Sequence, residues 1–483
     1  MDPQRSEHLP TIVMVCFASF MATLDAYIVN VSLPAIAQGF RASMSDVSRV
    51  ILCYMLSLSS TTLVFGKLSD RLGARRLLLL GFAVFGGASL LCGIAPTLLS
   101  LIGARFVQGF GAAMIIISGY AALSKFLPET LRGWAFGLVS TSAALGVAVG
   151  APLGGVVTGY LSWHWIFLIN IPIGGMAILA GRRFLPDDSR EATAREREPF
   201  DYPGALFSFL AILGLVYALN NGTEHGWGSP PILTAFGIAL VFLFLFLRRE
   251  TRCPAPLLKL SLFAIRRLDV ALIAFMAATM VIAGNNFLMP FFLEYGKGLP
   301  PQQTGFVLMI YSVALMLVGP LAGRLSDRLP PTVLCTLGMA SASGACLFFA
   351  LDLQTPGLGS ALVFLAWQGA SLALFLSPNA NHVMRLAPAG EQGSTSGVFN
   401  LFSRLGMILG VCLFESIFTT LFPGDIHLLA KGATLPPSLL GAFRWCWLAA
   451  VGLCLLVAVL SAVSITRRPA PGAAEPGPVL LDG

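Results

Sequence analysis

Residues 133–181 read GWAFGLVSTSAALGVAVGAPLGGVVTGYLSWHWIFLINIPIGGMAILAG, a run of 49 residues without one Asp, Glu, Lys or Arg. Three further runs are equally free of charge, namely Leu77–Ala104, Val270–Leu293 and Leu353–Met384. A helix of about 20 apolar residues crosses the ~30 Å hydrocarbon layer of a bilayer, so these runs predict membrane crossings. The whole 483-residue chain agrees, because it is 56% apolar and 11% charged, with a mean hydropathy of +0.81. That composition excludes a soluble enzyme, a disordered chain and a disulfide-stapled secreted domain.

Apolar runs broken at charges, Pro and Gly predict fourteen transmembrane helices joined by short loops. Their expected extents are 11–39, 47–66, 77–95, 98–124, 133–160, 164–184, 203–220, 231–248, 268–293, 304–323, 332–352, 357–382, 392–422 and 438–466. The fold class is therefore an all-α integral membrane protein, with no soluble domain large enough to fold independently. The first run continues through Asp25 and Asn30 without a convincing cleavage site, so we expect a retained helix rather than a signal peptide.

The 30 Lys and Arg residues fall mostly on one side of the predicted membrane. With the N-terminus inside, the cytoplasmic segments hold 23, the opposite side holds five, and Arg105 and Arg404 lie within helices. The positive-inside rule then predicts a multi-pass protein of the cell inner (plasma) membrane with both termini cytoplasmic. The net charge of +7 is a topology signal, and we expect no nucleic-acid partner.

Signatures of catalysis are missing from the sequence. Nine cysteines are scattered without a C-x-x-C pair, which favours packing residues over a metal or redox site. The chain contains no G-x-x-x-x-G-K-[ST], H-E-x-x-H or G-x-S-x-G motif, so ATP-driven transport by this chain alone, metalloprotease chemistry and hydrolase chemistry lack a sequence basis. We expect no enzyme activity, no cofactor and no metal.

Two loops with nearly the same sequence lie 257 residues apart. G-K-L-S-D-R-L follows helix 2 at residues 66–72, and G-R-L-S-D-R-L follows helix 10 at residues 323–329. Such a repeat indicates two parallel halves, as in transporters that alternate access by rocking. The expected units are an N-terminal six-helix bundle (1–184), cytoplasmic linkers flanking two additional transmembrane helices (185–267), a C-terminal six-helix bundle (268–466) and a disordered cytoplasmic tail (467–483).

Five motifs that span most of the chain's first half, with the repeated loop in its second half, carry a family resemblance. They are L-D-A-Y-I-V-N-V-S-L-P (24–34), G-K-L-S-D-R-L-G-A-R-R (66–76), Arg105 with Q-G-F-G-A-A (108–113), G-x-x-x-G-A-P-L-G-G (146–155) and W-H-W-I-F-L-I-N-I-P-I-G (163–174). Together they resemble the signatures of the major facilitator superfamily, and of its fourteen-helix drug:proton antiporter branch. This chain departs from the usual pattern in having Tyr27 in place of Thr, His164 in place of Arg, and Ala151 between Gly150 and Pro152.

The resemblance implies two six-helix bundles plus two extra central helices. It also implies proton-coupled efflux of small, lipophilic or cationic drugs or toxic compounds by a monomer in the lipid bilayer. Protons and a small-molecule substrate would be its partners.

Three charged residues inside predicted helices are the main functional candidates. Asp25 lies near the middle of helix 1, where a carboxylate costs about 2.5–3.5 kcal/mol on insertion scales and should face a cavity or a partner. We expect a proton or substrate site there, the alternative being a polar residue satisfied by its neighbours. The resemblance implies that Arg105 modulates Asp25 protonation, although a structural tie to backbone carbonyls stays open. Glu415 in helix 13 is a candidate cation or second proton site, or else an interhelical hydrogen-bond partner.

The remaining candidates fall into three sets. The expected substrate-cavity residues are the side-chain amides of Asn30, Gln108, Asn285 and Asn286. The repeated loops and the resemblance imply conformational gating by Gly66, Asp70, Arg71, Gly73, Arg75, Asp327 and Arg328. The antiporter motif comprises Gly146, Gly150, Pro152, Gly154 and Gly155, where small residues permit close helix contact and the resemblance adds a seal against proton leak. Glu294, near the outer end of helix 9, is expected at the membrane interface.

Two other functions stay open at this point. One keeps the fold but reverses the direction, giving a proton symporter for uptake of a small solute. The other is a membrane-embedded enzyme or lipid-handling protein, which would need clustered nucleophiles, metal ligands or a soluble catalytic domain.

Overall fold

Fourteen helices, numbered α1–α14 in chain order, make up the regular structure of the described part of the chain. The computed structural model describes residues 3–186, 201–253, 265–326, 328–386, 392–422, 424 and 436–466. The helices of the first half and the middle are α1 Pro3–Phe40, α2 Met44–Leu72, α3 Ala74–Gly93, α4 Leu98–Phe126, α5 Glu129–Tyr160, α6 Trp165–Phe184, α7 Tyr202–His225 and α8 Pro230–Glu250. Those of the second half are α9 Arg266–Phe291 with a π-helical turn Phe292–Gly296, α10 Pro301–Ser326, α11 Pro331–Leu351, α12 Gly359–Leu386, α13 Gln392–Leu421 and α14 Pro437–Thr466.

The lengths of these helices match membrane crossing. Within the described residues, thirteen helices are long and apolar enough to span a bilayer. The remaining one, α2, has 29 residues and is therefore ~44 Å long at 1.5 Å per residue. The predicted all-α membrane fold is confirmed, with thirteen to fourteen candidate crossing helices. Several predicted helices were too short; α2, for example, was expected to end at residue 66 but continues to Leu72. A helix can extend past the hydrocarbon layer, because its charged side chains are solvated there.

Local sequence sets where several helices begin. Ser43 and Asp46 form a capping box at the start of α2, in which each side chain accepts a hydrogen bond from the other residue's backbone N–H. Thr97 and Ser100 do the same for α4. Gly73 adopts φ 89°, a conformation natural to glycine, and lets the chain turn directly from α2 into α3.

The two halves, α1–α6 and α9–α14, pack in the same way. In the first half α1 packs on α5 and α3 on α4, and in the second α9 packs on α13 and α11 on α12. The halves meet mainly through α5 with α10 and through α2 with α13, two contacts that the repeat makes equivalent. The interposed pair α7–α8 lies beside α2 and α13, and Arg49 Nη2 of α2 donates to Asn221 Oδ1 of α7 at 3.1 Å. Residues 187–200 of the predicted linker (185–200) and the predicted tail 467–483 lie outside the described residues.

Hydrophobic packing distinguishes the two ends of the bundle. We name the end with the α1–α2 connection the outer end, and the end with the α2–α3 connection the basic end. One large cluster joins both halves, and its members from the first half, such as Leu33 and Trp163, come from the outer part of that half. At the basic end the first half has its own cluster around Leu123, and the second half has another around Leu268. The packing that holds the halves together therefore lies toward the outer end.

Candidate functional site

Asp25 is the centre of a buried polar cluster within the first half. Its side chain is fully buried and accepts three hydrogen bonds from side chains of other helices. Arg105 Nη1 of α4 donates to Oδ2 at 2.7 Å, Gln108 Nε2 of α4 donates to Oδ1 at 3.1 Å, and Asn170 Nδ2 of α6 donates to Oδ1 at 2.9 Å. The arrangement suits a carboxylate, because every partner donates to it.

Arg105 is held as firmly as the acid it pairs with. Its guanidinium also donates to Gln108 Oε1 at 2.6 Å and, through Nε, to the backbone oxygen of Val50 at 3.3 Å. Its Cζ lies 4.0 Å from the ring centroid of Tyr54, within the range of a cation–π contact. The sequence left open whether Arg105 contacts Asp25 or a backbone carbonyl, and the structure contains both contacts.

A second layer orients the residues around the acid. Gln108 Nε2 donates to Ser89 Oγ at 2.8 Å, which fixes the amide so that it faces Asp25. Asn170 reaches the acid because α6 is interrupted, with a short turn Trp165–Leu168 and a new helical segment that begins at Asn170. The turn starts beside His164, whose ring stacks on Trp163 with centroids 3.6 Å apart. Burial lowers the pKa of His164, so this position favours a neutral side chain at pH 7.

A central cavity of about 290 Å³ lies between the two halves, next to this cluster. Tyr54 lies between the two sites, because its ring contacts Arg105 and its side chain lines the cavity. The described lining from the first half includes Tyr27, Asn30, Tyr54 and Met55, and that from the second half includes Asn286, Asn400, Ser403, Arg404 and Met407. Asp25 itself is not among the described lining residues, so it lies behind the cavity wall.

The glycines of the antiporter motif set the distance between α5 and α1, the helix that carries Asp25. A Cβ added at Gly146 would lie 2.7 Å from the backbone oxygen of Phe20, and one at Gly154 would lie 2.6 Å from that of Ile28. At Gly150 the added atom would lie 2.8 Å from Tyr27 Cβ. Larger residues at these positions would force the helices apart.

The same motif also contacts the other half. A Cβ at Gly155 would lie 2.3 Å from the backbone oxygen of Pro301, and Gly305 of α10 approaches Ala151 and Pro152 equally closely. The repeat has its own version of this packing, since Gly406 and Gly410 of α13 lie against the backbone of α9 at Met276 and Met280. Sequence inspection missed this second pair, because two glycines without a recognised motif around them carry little signal.

Four of the predicted gating residues, Gly66, Gly73, Arg75 and Arg328, lie at the basic end of the helices. The side chains of Asp70 and Arg71, and Asp327 altogether, lie outside the described set, so the structure does not place their contacts. Gly66 faces Ile117 of α4, and Gly73 makes the turn described above. Arg75 Nη2 donates to the backbone oxygen of Arg182 at 2.6 Å, which ties α3 to the end of α6. Arg328 is exposed.

The predicted cavity amides divide between three environments. Asn30 and Asn286 line the cavity, and Asn286 forms a side-chain hydrogen bond with Tyr27. Gln108 belongs to the Asp25 cluster instead. Asn285 is buried and is not among the described lining residues, because it precedes Asn286 and so points about 100° away around the helix.

Two further acids of the second half are fully buried. Glu415 lies on α13 at 0% exposure, eleven residues beyond Arg404 and hence ~16 Å along the helix axis. Glu294 also has 0% exposure, so other protein groups enclose it at the end of α9. Its expected position at the membrane interface stays a prediction. The π-helical turn Phe292–Gly296 carries Glu294, and a change of helical pitch alters which side chains point inward.

Two repeated six-helix halves around a shared cavity, with a buried acid beside it, define a secondary transporter rather than an enzyme. A sequence model of the Major Facilitator Superfamily matches residues 15–411. The chain belongs to this superfamily.

Known proteins similar to this chain include named transporters and a multidrug resistance protein. It is 31% identical over 407 residues to the riboflavin transporter RibZ of Clostridioides difficile (strain 630), covering 84% of this chain and 87% of RibZ. It is 29% identical over 411 residues to the multidrug resistance protein Stp of Mycobacterium tuberculosis (strain H37Rv), covering 85% of this chain and 75% of Stp. A crystal structure of a point mutant of the nucleoside transporter NupG has the same fold, with a TM-score of 0.64, 12% identity, and coverage of 94% of this chain and 99% of that chain.

Proposed function

We propose that this protein is a proton-coupled antiporter that exports small organic molecules from the cytoplasm. The observation that carries the proposal is the fully buried Asp25–Arg105 pair, placed directly behind the wall of the central cavity. An ionisable residue within the membrane is a functional candidate by default, and this one has a named partner.

Asp25 suits reversible protonation coupled to movement. All three of its neighbours donate hydrogen bonds, two of them to Oδ1, so a proton on Oδ1 displaces a donor. A proton on either oxygen removes the negative charge that Arg105 faces. The buried guanidinium would then lack its counter-charge, a state that favours rearrangement of α1 and α4. Proton binding would in this way change the relative stability of two arrangements of the halves.

Tyr54 offers a route from the proton site to the substrate site. One face of its ring contacts Arg105 at 4.0 Å, and the residue lines the cavity. A shift of Arg105 would therefore change the shape of the cavity without any direct contact between substrate and Asp25.

The orientation of the chain in the membrane decides which side of the membrane the cavity would face. We propose that the basic end faces the cytoplasm, since 23 of the 30 basic residues fall on that side of the predicted membrane. The halves pack together toward the outer end, which suits a cavity that receives substrate from the cytoplasm. The gating role of Asp70, Arg71 and Asp327 at this end, the monomeric state and a proton or cation role for Glu415 stay predictions.

The relatives support export without fixing the substrate. Stp is named for multidrug resistance, whereas RibZ is named for riboflavin transport. We propose small, lipophilic organic compounds as substrates. Uptake by proton symport uses the same fold, and the direction of proton movement separates the two functions.

Replacing Asp25 by Asn tests the proton site. The purified full-length protein is reconstituted into liposomes, and transport of riboflavin, ethidium and anthracene-9-carboxylate is followed under an imposed pH gradient. Asp25→Asn keeps the side-chain shape but cannot titrate, so gradient-driven transport of every probe that the wild type moves is expected to fall to the level of empty liposomes.

Asp46→Asn is the matched control. Asp46 is a partly exposed residue of the same half that pairs with Arg49 and caps α2, and it is not among the described cavity residues. It should transport as the wild type does. Normal pH-dependent transport by a folded Asp25→Asn protein would place the coupling site elsewhere.

A further inference from the structure

The charge inside the central cavity points to the substrate class. Among its described lining residues, one carries a formal charge, and that residue is Arg404 of α13. The rest of the described lining is apolar or neutral, with side-chain amides at Asn30, Asn286 and Asn400, and hydroxyls at Thr23, Tyr27, Tyr54 and Ser403. The cavity is therefore a mainly apolar space with a positive charge at one wall.

Arg404 forms no ion pair with any described acidic side chain. Its described electrostatic neighbours are the hydroxyl-bearing rings of Tyr54 and Tyr120, both from the other half of the protein. Asp25 is engaged by Arg105, Gln108 and Asn170. Glu415 lies ~16 Å away along α13, estimated from the helical rise. No described carboxylate therefore neutralises the guanidinium.

Arg404 is partly exposed, since it lines the cavity. A guanidinium in a mainly apolar space, with no described carboxylate beside it, is stabilised by any group that supplies negative charge or strong acceptors. A bound carboxylate would do so, since the planar guanidinium matches it with two parallel hydrogen bonds. A lipophilic cation entering the same space would meet a like charge instead. The wall around Arg404 adds neutral acceptors, because Asn30 Oδ1 and the Tyr54 hydroxyl are buried without a hydrogen-bond partner among the described residues.

We propose that Arg404 is a substrate-binding residue, and that the cavity selects organic anions, with carboxylates preferred over neutral analogues and cations disfavoured. This inference rests on the proposed transport function, but substrate binding can be measured separately from coupling. The site is built from both halves, since Arg404 and Asn400 belong to the second half, and Tyr27 and Tyr54 to the first. Rocking of the halves would split the site and release the anion.

The membrane potential favours this assignment for an exporter. Each charge that crosses 100 mV is worth roughly 2.3 kcal/mol. With a negative interior, outward movement of an anion and inward movement of a proton are both driven by the potential.

A matched series of ligands tests the proposal. Full-length protein in detergent is titrated calorimetrically with anthracene-9-carboxylate, anthracene-9-carboxamide and 9-(trimethylammoniomethyl)anthracene, which share one ring system. The wild type is expected to bind the carboxylate about tenfold more tightly than the amide, the effect of one charge-assisted hydrogen bond, and the cation most weakly. Arg404→Gln should weaken carboxylate binding about tenfold and change amide binding less than twofold.

Two further variants separate charge recognition from loss of fold. Arg404→Lys keeps the charge without the two-pronged geometry and should retain part of the preference for the acid. Arg248→Gln removes an exposed arginine from the end of α8, away from the cavity, and should bind as the wild type does. Equal wild-type affinity for the three ligands, preference for the cation, or no carboxylate binding would each overturn the proposal. Because no membrane or gradient is present, these outcomes do not depend on whether Asp25 couples protons.

Discussion

Replacing Arg105 by Met tests how strongly the buried pair contributes to the fold. Methionine is elongated like arginine but apolar, so the substitution removes the donors to Asp25, Gln108 and the Val50 carbonyl. Asp25 would remain fully buried with two neutral donors, Gln108 and Asn170, and no positive charge. The chain then holds an uncompensated buried carboxylate.

The magnitude follows from the geometry of the pair. Breaking a buried ion pair by removing one partner costs about 3–5 kcal/mol, because the other charge is left unpaired. The same truncation made together with Asp25→Asn leaves no charge behind, so the double variant should lose at most about 1–2 kcal/mol, the range of neutral hydrogen bonds. Arg105→Met alone should therefore be less stable than Asp25→Asn/Arg105→Met.

Unfolding by sodium dodecyl sulfate from mixed micelles, followed by circular dichroism, measures these differences. The four proteins form a double-mutant cycle, which isolates the interaction between the two residues. If Arg105→Met alone is as stable as the double variant, the carboxylate does not depend on Arg105 and the pair has no special role in the fold.

Three further predictions concern the packing, the second acid and the topology. Gly154→Ala should destabilise the protein by about 1–3 kcal/mol in the same unfolding assay, because the added Cβ would lie 2.6 Å from the Ile28 carbonyl oxygen. Gly137→Ala is the control and should not destabilise the protein, because its added Cβ meets open space. Glu415→Gln should change transport of ethidium and riboflavin equally, since Glu415 is not among the described cavity residues. A selective loss of ethidium transport would instead support the cation role predicted from the sequence. Reporter fusions after Leu72 and after Pro469 should both report cytoplasm, and a periplasmic signal from either one would reject the proposed orientation.

The sequence predicted the fold because hydrophobic length is a local property. A run such as 133–181 without a charge can hardly be anything other than membrane helix, and the loops at 66–72 and 323–329 revealed the repeat. Helix ends were predicted less well. The thickness of the bilayer sets the length of a helix's apolar segment, but backbone hydrogen bonding continues the helix beyond that segment. The interruption of α6 at Ile169 was not predicted, because no charged residue marks it within 164–181.

The sequence predicted only those residues of the site that are unusual for a membrane helix. Asp25 and Arg105 stand out because charges inside apolar helices are rare, and the structure pairs them. Asn170 and Tyr54 did not stand out, since their roles depend on which helices pack together. Arg404 was noted as a charge within a helix, but its place in the cavity wall requires the two halves to be assembled.

The direction of proton movement tests the proposed antiport most directly. Proteoliposomes containing the full-length protein and the pH indicator pyranine are loaded with riboflavin, or with whichever of the three transport probes the wild type moves, and diluted into probe-free buffer. Outward movement of the probe should acidify the lumen, because each exported molecule is exchanged for entering protons, and Asp25→Asn liposomes should show no pH change. A lumen that becomes more alkaline would mean that protons leave with the probe, and this result would contradict antiport.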